Sequence, residues 1–598
     1  MNPGTLRAVL QTCAALIFTV GIPLLTRAGA PAPAGASNLS TVAERSGYAR
    51  TGRYDEVERL CAAFASRWPD RVRCGEFGRT PEGRPMLVLV ASGDGTLDPG
   101  LARERKRPVV LFQGGVHAGE IDGKDAGFKA LQEILEGREQ RDALSRVTVL
   151  FVPVYNVDGH ERFGRWNRPN QRGPEEMGWR TTAQNLNLNR DYMKAEAPET
   201  RAMLGLLNSW DPILYVDLHV TDGAQFREEI SVEIEPGDGW DLELGRTGHA
   251  IRDAVLAHLQ QQKFLALPFY PSFVKQDEPE SGFEVTVRRP RHSTSYLATR
   301  NRFGALVETH SWLEYPRRVA ATRATILAMV GLAARDGTQW LAAAGAADAR
   351  AAAIGGKPVP LTFRNSAAVR MVDFHGYAYT REQSAISGQL WIRYDETRPR
   401  TWRLPLKYEV VPDLTVTAPA RGYLVPAAHA AWLAERLTTQ GLRFEVMTQA
   451  EPRAVVQSFL AGKVAPDAKI AEGRVSIALT GTWREDTRDI PAGSLFVPIA
   501  QPKARLVMSL FEPQAPDSYA SWGYFDAAFE QKEYMEDYVI EAVARDMLAK
   551  DPALKTEFER RLREDATFAA DPEARLAFFY RRHPAWDDRA FLYPVYRR

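Results

Sequence analysis

The first half of the chain alternates continuous apolar runs with stretches of helical periodicity. The runs occupy residues 87–90, 107–113, 147–154, 213–218 and 305–307. Apolar side chains recur at helical spacing over residues 122–135 and 244–261. Strands covered by helices on both faces are typically apolar throughout rather than alternating. The pattern therefore predicts an α/β fold, whose ligands usually bind beyond the carboxyl ends of the strands.

The second half has a different pattern. A helix predicted from about residue 317 to 335 is followed by an Ala/Gly-rich stretch, which predicts a linker over residues 341–357. Alternating polar and apolar positions then predict a β-rich module over residues 358–420. A strand, a helix and a second strand begin an α+β module over residues 421–598, which ends in a helical tail. Asp551 and Asp571 each precede a proline there, which is typical of a helix start.

The first residues predict a secretory signal peptide over residues 1–36. A short, weakly positive start precedes an apolar stretch over residues 8–25, and small residues suited to signal peptidase follow at residues 34–36. The alternative is an uncleaved membrane anchor, because the stretch approaches the roughly 20 residues that a spanning helix needs. Polar residues and a proline within it favour cleavage. We therefore expect a secreted or periplasmic protein that is free of the membrane after cleavage.

Composition and charge narrow the possible functions. The 598 residues are 45% hydrophobic and 25% charged, which is typical of a globular, multi-domain protein. The net charge of +1 provides no overall attraction to nucleic acid, so we expect no nucleic-acid partner. Only Cys13, Cys61 and Cys74 are present, which excludes a zinc ribbon. In an oxidising compartment Cys61 and Cys74 could pair, or they could remain two buried thiols.

Any metal must then be bound by histidines and carboxylates, and three such residues lie after predicted strands. His117 and Glu120 stand three residues apart in the segment Gly-Gly-Val-His-Ala-Gly-Glu, and His219 ends a later apolar run. Two histidines and one glutamate leave an open coordination position, as in catalytic zinc sites. Taken separately, each residue has a common alternative, because His117 and Glu120 could be a capping or surface pair and His219 a core histidine.

Further candidates accompany these three. Asn189 and Arg190 end the run Asn-Leu-Asn-Leu-Asn-Arg, and a guanidinium matches a carboxylate with two hydrogen bonds. Glu308 ends another apolar run, where a carboxylate is costly to bury without a partner or a function. It could act as a general base beside a metal site. His310 would lie on the same face of that strand and is the competing candidate for a metal ligand.

Taken together and in this order, these motifs resemble those of the zinc carboxypeptidases of the carboxypeptidase A/B superfamily. The resemblance covers about residues 45 to 335 and includes the Asn-Val-Asp-Gly turn at residues 156–159. It implies a mixed, mostly parallel sheet flanked by helices, within a catalytic domain over residues 37–340.

The resemblance also implies roles for individual residues. His117, Glu120 and His219 would hold one Zn²⁺ per chain, and Glu308 would activate water. The other implied roles are those of Asn189 and Arg190 in gripping the terminal carboxylate, Arg180 or its alternative Arg172 in stabilising the oxyanion, and Tyr296 in closing over the substrate.

We therefore expect a secreted zinc metallocarboxypeptidase that acts on peptides with a free C-terminal carboxylate. One alternative is a zinc amidohydrolase acting on cell-wall peptides or acylated amino acids. A second alternative is a catalytically inactive peptide-binding protein, which the presence of every expected ligand disfavours. The segment 238–291 shows no readable specificity pocket, and the sequence does not define the oligomeric state.

Overall fold

The computed structural model describes residues 39–598, so the predicted signal peptide and Cys13 lie outside the described residues. The first nine strands are β1 (Val72–Arg79), β2 (Pro85–Ala91), β3 (Val109–Gly114), β4 (Thr148–Val152), β5 (Leu214–Thr221), β6 (Ile230–Glu235), β7 (Ala266–Leu267), β8 (Phe283–Glu284) and β9 (Phe303–His310). All except β8 form one eight-stranded sheet in the order β1-β2-β4-β3-β5-β9-β6-β7.

The middle of this sheet is parallel. Strands β4, β3, β5 and β9 run in the same direction, whereas β2 is antiparallel to both of its neighbours, and β6 is antiparallel to β9 but parallel to β7. The five apolar runs of the sequence correspond to β2, β3, β4, β5 and β9, which are almost entirely buried. The predicted mixed, mostly parallel α/β sheet is therefore confirmed.

Helices cover both faces of the sheet. They are α1 (Val42–Arg45), α2 (Tyr54–Arg67), α3 (Pro99–Glu104), α4 (Asp122–Leu135), α5 (Val157–Glu161), α6 (Pro198–Trp210), α7 (Leu242–Gln261), α8 (Ser293–Thr299) and α9 (Tyr315–Ala352). Short 3-10 turns occur at Ala143–Ser145, Leu188–Arg190, Pro279–Ser281 and Asp526–Phe529. The packing is close, as shown by the ring of Phe128 on α4, which meets that of Phe151 on β4 at 5.3 Å. Cys61 and Cys74 form a disulfide that joins α2 to β1.

Helix α9 corrects one prediction. The segment 341–357, expected to be an Ala/Gly-rich linker, is helical as far as Ala352. Alanine is the strongest helix former, and Ala344 and Ala347 are buried on one side of the helix. The composition therefore marks a packed helix rather than a flexible connection.

The C-terminal region is rich in strands, as predicted. Its strands are β10 (Pro358–Pro360), β11 (Phe363–Asn365), β12 (Val369–Gln383), β13 (Leu390–Lys407), β14 (Val410–Pro412), β15 (Thr415–Thr417), β16 (Gly422–Val425), β17 (Glu445–Val446), β18 (Glu451–Pro466), β19 (Ile477–Ile490), β20 (Leu495–Pro498) and β21 (Tyr596–Arg597). Strands β12 and β13 form a long hairpin, here called the first hairpin, and β18 and β19 form the second hairpin. The second hairpin belongs to a six-stranded sheet.

The remaining helices complete this region. They are α10 (Ala427–Gln440), α11 (Ala504–Phe511), α12 (Asp537–Lys550), α13 (Pro552–Glu564), α14 (Ala566–Ala570) and α15 (Pro572–Tyr580). As predicted, the side chains of Asp551 and Asp571 cap the starts of α13 and α15 by accepting backbone hydrogen bonds. Within residues 39–598, none of the helices combines the length and the apolar character that crossing a bilayer would need.

Buried polar contacts hold the C-terminal region against the first half. Gln440 accepts a hydrogen bond from the Tyr296 hydroxyl at 2.6 Å and donates one to the carbonyl of Tyr192 at 2.9 Å. Arg505 donates to Asn301 at 2.9 Å and to Asp241 at 3.1 Å. These bonds lie in the interior, so the two halves pack as one body.

Candidate active site

Three chemistry-bearing side chains meet where the parallel strands end. His117 and Glu120 lie in the turn after β3, and His219 lies near the end of the adjacent parallel strand β5. Gly115 has a φ of 61°, a left-handed backbone conformation that glycine adopts freely, and this lets the turn fold back over the sheet edge. The carboxyl edge of the sheet is where such folds place ligands.

The Glu120 carboxylate lies between the two imidazoles. Its Oε1 atom is 3.0 Å from His117 Nδ1, and its Oε2 atom is 2.8 Å from His219 Nδ1. One potential ligand atom from each residue lies within 4.8 Å of the other two, and all three residues are buried. The same two Nδ1 atoms and one carboxylate oxygen could therefore bind a single cation.

The outer nitrogen of each histidine is held by a second residue. His219 Nε2 lies 3.0 Å from Asp217 Oδ2, and His117 Nε2 lies 3.1 Å from Asn187 Oδ1. Asp217 is itself fixed by a hydrogen bond from Gln113 at 2.8 Å. Partners of this kind set the tautomer and the orientation of metal-binding histidines. The donor set and its supports therefore fit a divalent cation such as zinc.

Two arginines add positive charge to Glu120. Arg168 Nη1 is 3.0 Å from Glu120 Oε1, and Arg180 Nη1 is 3.3 Å from the same atom. Burial by itself would raise the pKa of Glu120, but the charges of His117 and Arg168 and the hydrogen bonds from both histidines hold that pKa well below its usual value. Burial lowers the pKa of His117. Glu120 is thus kept ionised, which is the form that binds metals.

Glu308 faces the same site from the next strand. In the parallel pairing of β5 and β9, Glu308 lies opposite His219. Its side chain is buried, and its Oε2 atom has no hydrogen-bond partner among residues 39–598. Burial raises the pKa of Glu308 to about 8, and the neighbouring Glu120 carboxylate adds to the shift. A bound dication would oppose this shift by stabilising the carboxylate.

A cavity of about 460 Å³ contains these groups. Seven of the residues predicted for the site line it, namely His117, Glu120, Arg180, Asn189, Arg190, His219 and Glu308. Arg190 donates a hydrogen bond to the Asn189 carbonyl at 2.7 Å, and Asn189 Oδ1 accepts one from the Ser293 backbone at 3.0 Å. Burial lowers the pKa of Arg190, and the charge of Arg180 adds to this effect. An anionic ligand would relieve that repulsion.

Three candidates lie elsewhere. Tyr296 is fully buried and donates its hydroxyl hydrogen bond to Gln440, away from the cavity, so its assignment as the closing tyrosine is wrong. The His310 ring stacks on Phe226 at 3.7 Å and is not part of the three-residue cluster. Arg172 pairs with Glu396 of the first hairpin rather than lining the cavity.

Sequence reasoning missed several residues of the site. Asp217 had a readable signal, because it lies two positions before His219 on one strand and therefore on the same face. Tyr270 and Arg288 line the cavity from a segment without regular periodicity, and Tyr270 accepts a hydrogen bond from Thr221 at 2.9 Å. Arg168 reaches Glu120 from a loop, and no local pattern indicates that contact.

Comparison with known proteins gives three sequence findings. The zinc carboxypeptidase family model matches residues 57–227, the part that contains the three clustered residues. Probable carboxypeptidase 2 of Arthroderma benhamiae is 28% identical over 152 residues, which are 25% of this chain and 25% of that protein. An inactive metallocarboxypeptidase of Schizosaccharomyces pombe is 33% identical over 102 residues, or 16% of this chain and 20% of that protein. The chain thus spans about a quarter or less of these relatives.

Solved structures give two further similarities. Carboxypeptidase A of Helicoverpa armigera is 17% identical, with a TM-score of 0.36 over 50% of this chain and 75% of that one. A metallo-carboxypeptidase of Burkholderia cenocepacia is 19% identical, with a TM-score of 0.33 over 46% of this chain and 68% of that one.

Proposed function

We propose that this chain, which carries a domain of the zinc carboxypeptidase family over residues 57–227, is a zinc metallocarboxypeptidase that hydrolyses the C-terminal bond of peptides. One observation carries the proposal. The Nδ1 atoms of His117 and His219 face the two oxygens of Glu120, while their outer nitrogens are held by Asn187 and Asp217. Zinc bound there would supply Lewis acidity that polarises a carbonyl group and activates water.

The cavity supplies groups for binding a free C-terminus. The Arg190 guanidinium lines the cavity and has no ion-pair partner among residues 39–598. Its planar fork can donate two hydrogen bonds to a carboxylate, and the amide of Asn189 can donate another. These contacts would fix the terminal residue and so select the last peptide bond for cleavage.

Two further residues would transfer protons and stabilise the negative charge that develops during hydrolysis. Glu308 Oε2, without a partner in the described residues, would accept a proton from attacking water and pass it to the leaving amine nitrogen. Arg180 lines the cavity beside Glu120 and would stabilise negative charge that develops on the carbonyl oxygen. The side chains of this chain thus supply both the base and the oxyanion donor.

We also propose that the protein is exported to the periplasm or the cell exterior. The apolar segment at residues 8–25, followed by small residues, supports a cleaved signal peptide. The Cys61–Cys74 disulfide supports an oxidising compartment. Cell fractionation with an antibody, together with N-terminal sequencing of the mature protein, tests this proposal, and an intact N-terminus in the cytoplasm would contradict it.

A non-catalytic binding protein is the second candidate. The similarity to a relative described as an inactive metallocarboxypeptidase favours it. Against it, all three clustered residues and Glu308 line one cavity. An amidohydrolase on cell-wall peptides or acylated amino acids would use the same groups, because Arg190 requires only a free carboxylate.

Metal analysis and turnover of paired substrates test the proposal. We expect about one zinc per chain, and we expect a peptide with a free C-terminus to be cleaved much faster than the same peptide as its C-terminal amide, because Arg190 loses its charged partner. Glu308→Gln should retain the zinc and lose almost all turnover. His219→Ala should lose the zinc.

Glu314→Gln provides a matched control for Glu308→Gln, since Glu314 is exposed and precedes helix α9. It should keep both zinc and activity. Cleavage of free and amidated peptides at equal rates would exclude C-terminal selection. Zinc binding without any turnover of the wild-type protein would favour the non-catalytic candidate.

A further inference from the structure

A second cavity, of about 900 Å³, adjoins the candidate active site. Asp222 and several residues of the loop 270–274 line both cavities, so the two are adjacent. Asn189 and Arg190 line the first cavity only. A chain held by its terminal carboxylate at Arg190 would therefore find the second cavity on the side away from that anchor.

The first hairpin forms one wall of this second cavity. Its strand β13 contributes a run of residues that includes Trp391 and Tyr394, and Trp312 lines the cavity from the first half of the chain. Trp391 is 52% exposed. The indole of Trp312 is fixed by a hydrogen bond from Nε1 to the Gly223 carbonyl at 3.1 Å. Large aromatic faces of this kind beside a reactive site are typical of ligand-binding surfaces.

The wall is held in place by a separate apolar cluster. Phe374 and Trp402 of the first hairpin pack with Phe226 and Phe283 of the first half of the chain. The backbone also pairs across this contact, because β13 runs parallel to β8 and the carbonyl of His375 accepts a hydrogen bond from the Arg227 backbone at 2.7 Å. The cavity is thus formed before any ligand arrives, which lowers the cost of ordering on binding.

We infer that the second cavity binds the part of the peptide upstream of the scissile bond, so that the substrates are oligopeptides rather than dipeptides or acylated single amino acids. The inference rests on the proposed carboxypeptidase function. The indole faces of Trp312 and Trp391 suit apolar and aromatic side chains. Amide side chains at Asn170 and Gln225 can bond to the peptide backbone.

The charges of the second cavity indicate which upstream peptide residues it favours. Its charged groups are Asp222, Asp277 and Arg393. Asp222 pairs with Arg168 at 3.1 Å, and Arg393 pairs with Glu382 at 3.6 Å. No excess of positive charge therefore attracts acidic residues, and neutral peptides with apolar upstream residues are the best probes.

Kinetics on a length series test the inference. The substrates are peptides of two, four and six residues with a blocked N-terminus and a free C-terminal carboxylate. All three share the same last two residues, and the additional upstream residues are apolar. For the full-length zinc-loaded protein, kcat/KM should rise with length. Trp391→Ala should lower kcat/KM for the hexapeptide about tenfold, as loss of an aromatic contact typically does, and leave the dipeptide value unchanged.

Leu390→Ala is the matched control. Leu390 is 67% exposed on the same strand, directly before Trp391, but does not line the cavity. It should behave as wild type at every length.

The outcomes separate this inference from the proposed function. Hydrolysis that is independent of length, or an equal effect of Trp391→Ala on all lengths, overturns the oligopeptide site and leaves the carboxypeptidase function standing. A rise in kcat/KM that occurs only when a sugar is attached to the peptide also overturns the oligopeptide site, because the cavity would then bind a glycan. Absence of hydrolysis at every length overturns the proposed function and this inference together.

Discussion

The carboxylate of Glu472 accepts a hydrogen bond from the backbone N–H of Asn187 at 2.9 Å, although the two residues are 285 positions apart. Asn187 in turn lies 3.1 Å, through its Oδ1 atom, from His117 Nε2. Lys194 adds a hydrogen bond to the carbonyl of Glu472 at 3.0 Å. The tip of the second hairpin thus supports the loop that orients one proposed metal ligand.

We expect Glu472→Ala to weaken zinc binding by up to about tenfold, which is less than the roughly 10–100-fold typical of a direct partner of a metal ligand. The reason is that Asn187 would lose one of the bonds that fix it. Competition with a chromogenic chelator measures the dissociation constant. Glu485→Ala, at an exposed position of the same hairpin, is the control and should not change it. An unaltered constant for Glu472→Ala would mean that other contacts suffice to hold the loop.

Asp217→Asn should weaken zinc binding more than Glu472→Ala does. The Asp217 carboxylate lies 3.0 Å from His219 Nε2, and an amide at this position would no longer favour the tautomer that frees Nδ1. We expect zinc affinity to fall by about 10–100-fold. The same chelator competition measures this, with Asp253→Asn on the exposed side of α7 as control. Equal affinities for wild type and Asp217→Asn would contradict the proposed use of Nδ1.

His310→Ala should lower the stability of the protein without changing its zinc content. The His310 ring is buried and stacks on Phe226, so its removal leaves a cavity. We expect the free energy of unfolding to fall by about 2–4 kcal/mol while the zinc content stays at the wild-type level. Denaturant titration and metal analysis measure the two quantities. Loss of zinc from this variant would show that His310 takes part in the site.

Glu235 should make stability depend on pH. Burial raises its pKa to about 7 from the ordinary 4.5, while Ser295 donates a hydrogen bond to it. Between these values the folded chain binds more protons than the unfolded chain, so this residue lowers stability as pH rises.

Glu235→Gln removes that charge and can keep the hydrogen bond from Ser295. We expect the variant to gain about 1–3 kcal/mol over wild type at pH 8 and to show little difference at pH 5. Denaturant titrations at both pH values measure the change. The same difference at both values would mean that the buried carboxyl group does not ionise over this range.

The sheet could be predicted because its strands are buried on both faces, and burial restricts them to apolar residues over β3, β5 and β9. The clustered residues could be predicted because His117 and Glu120 share one turn and His219 ends a strand. Chemistry that depends on local spacing is thus readable in the sequence.

Contacts between distant segments could not be predicted in the same way. The number of residues between Tyr296 and Glu308 does not define how helix α8 is oriented relative to the cavity. Tyr296 lies on this helix, and its ring is buried in the interior. The pairing of Glu472 with Asn187 depends on the register of a long hairpin. Neither leaves a periodic signal in the sequence.

The interior bonds of Gln440 bear on any attempt to express the first half of the chain separately. A polypeptide truncated at Ala352 would leave the Tyr296 hydroxyl and the Tyr192 carbonyl without the partners that Gln440 provides. It would also expose apolar surface that now packs against α10 and α11. We therefore expect recombinant production of a stably folded protein to need the C-terminal region, which serves as an internal scaffold for the fold.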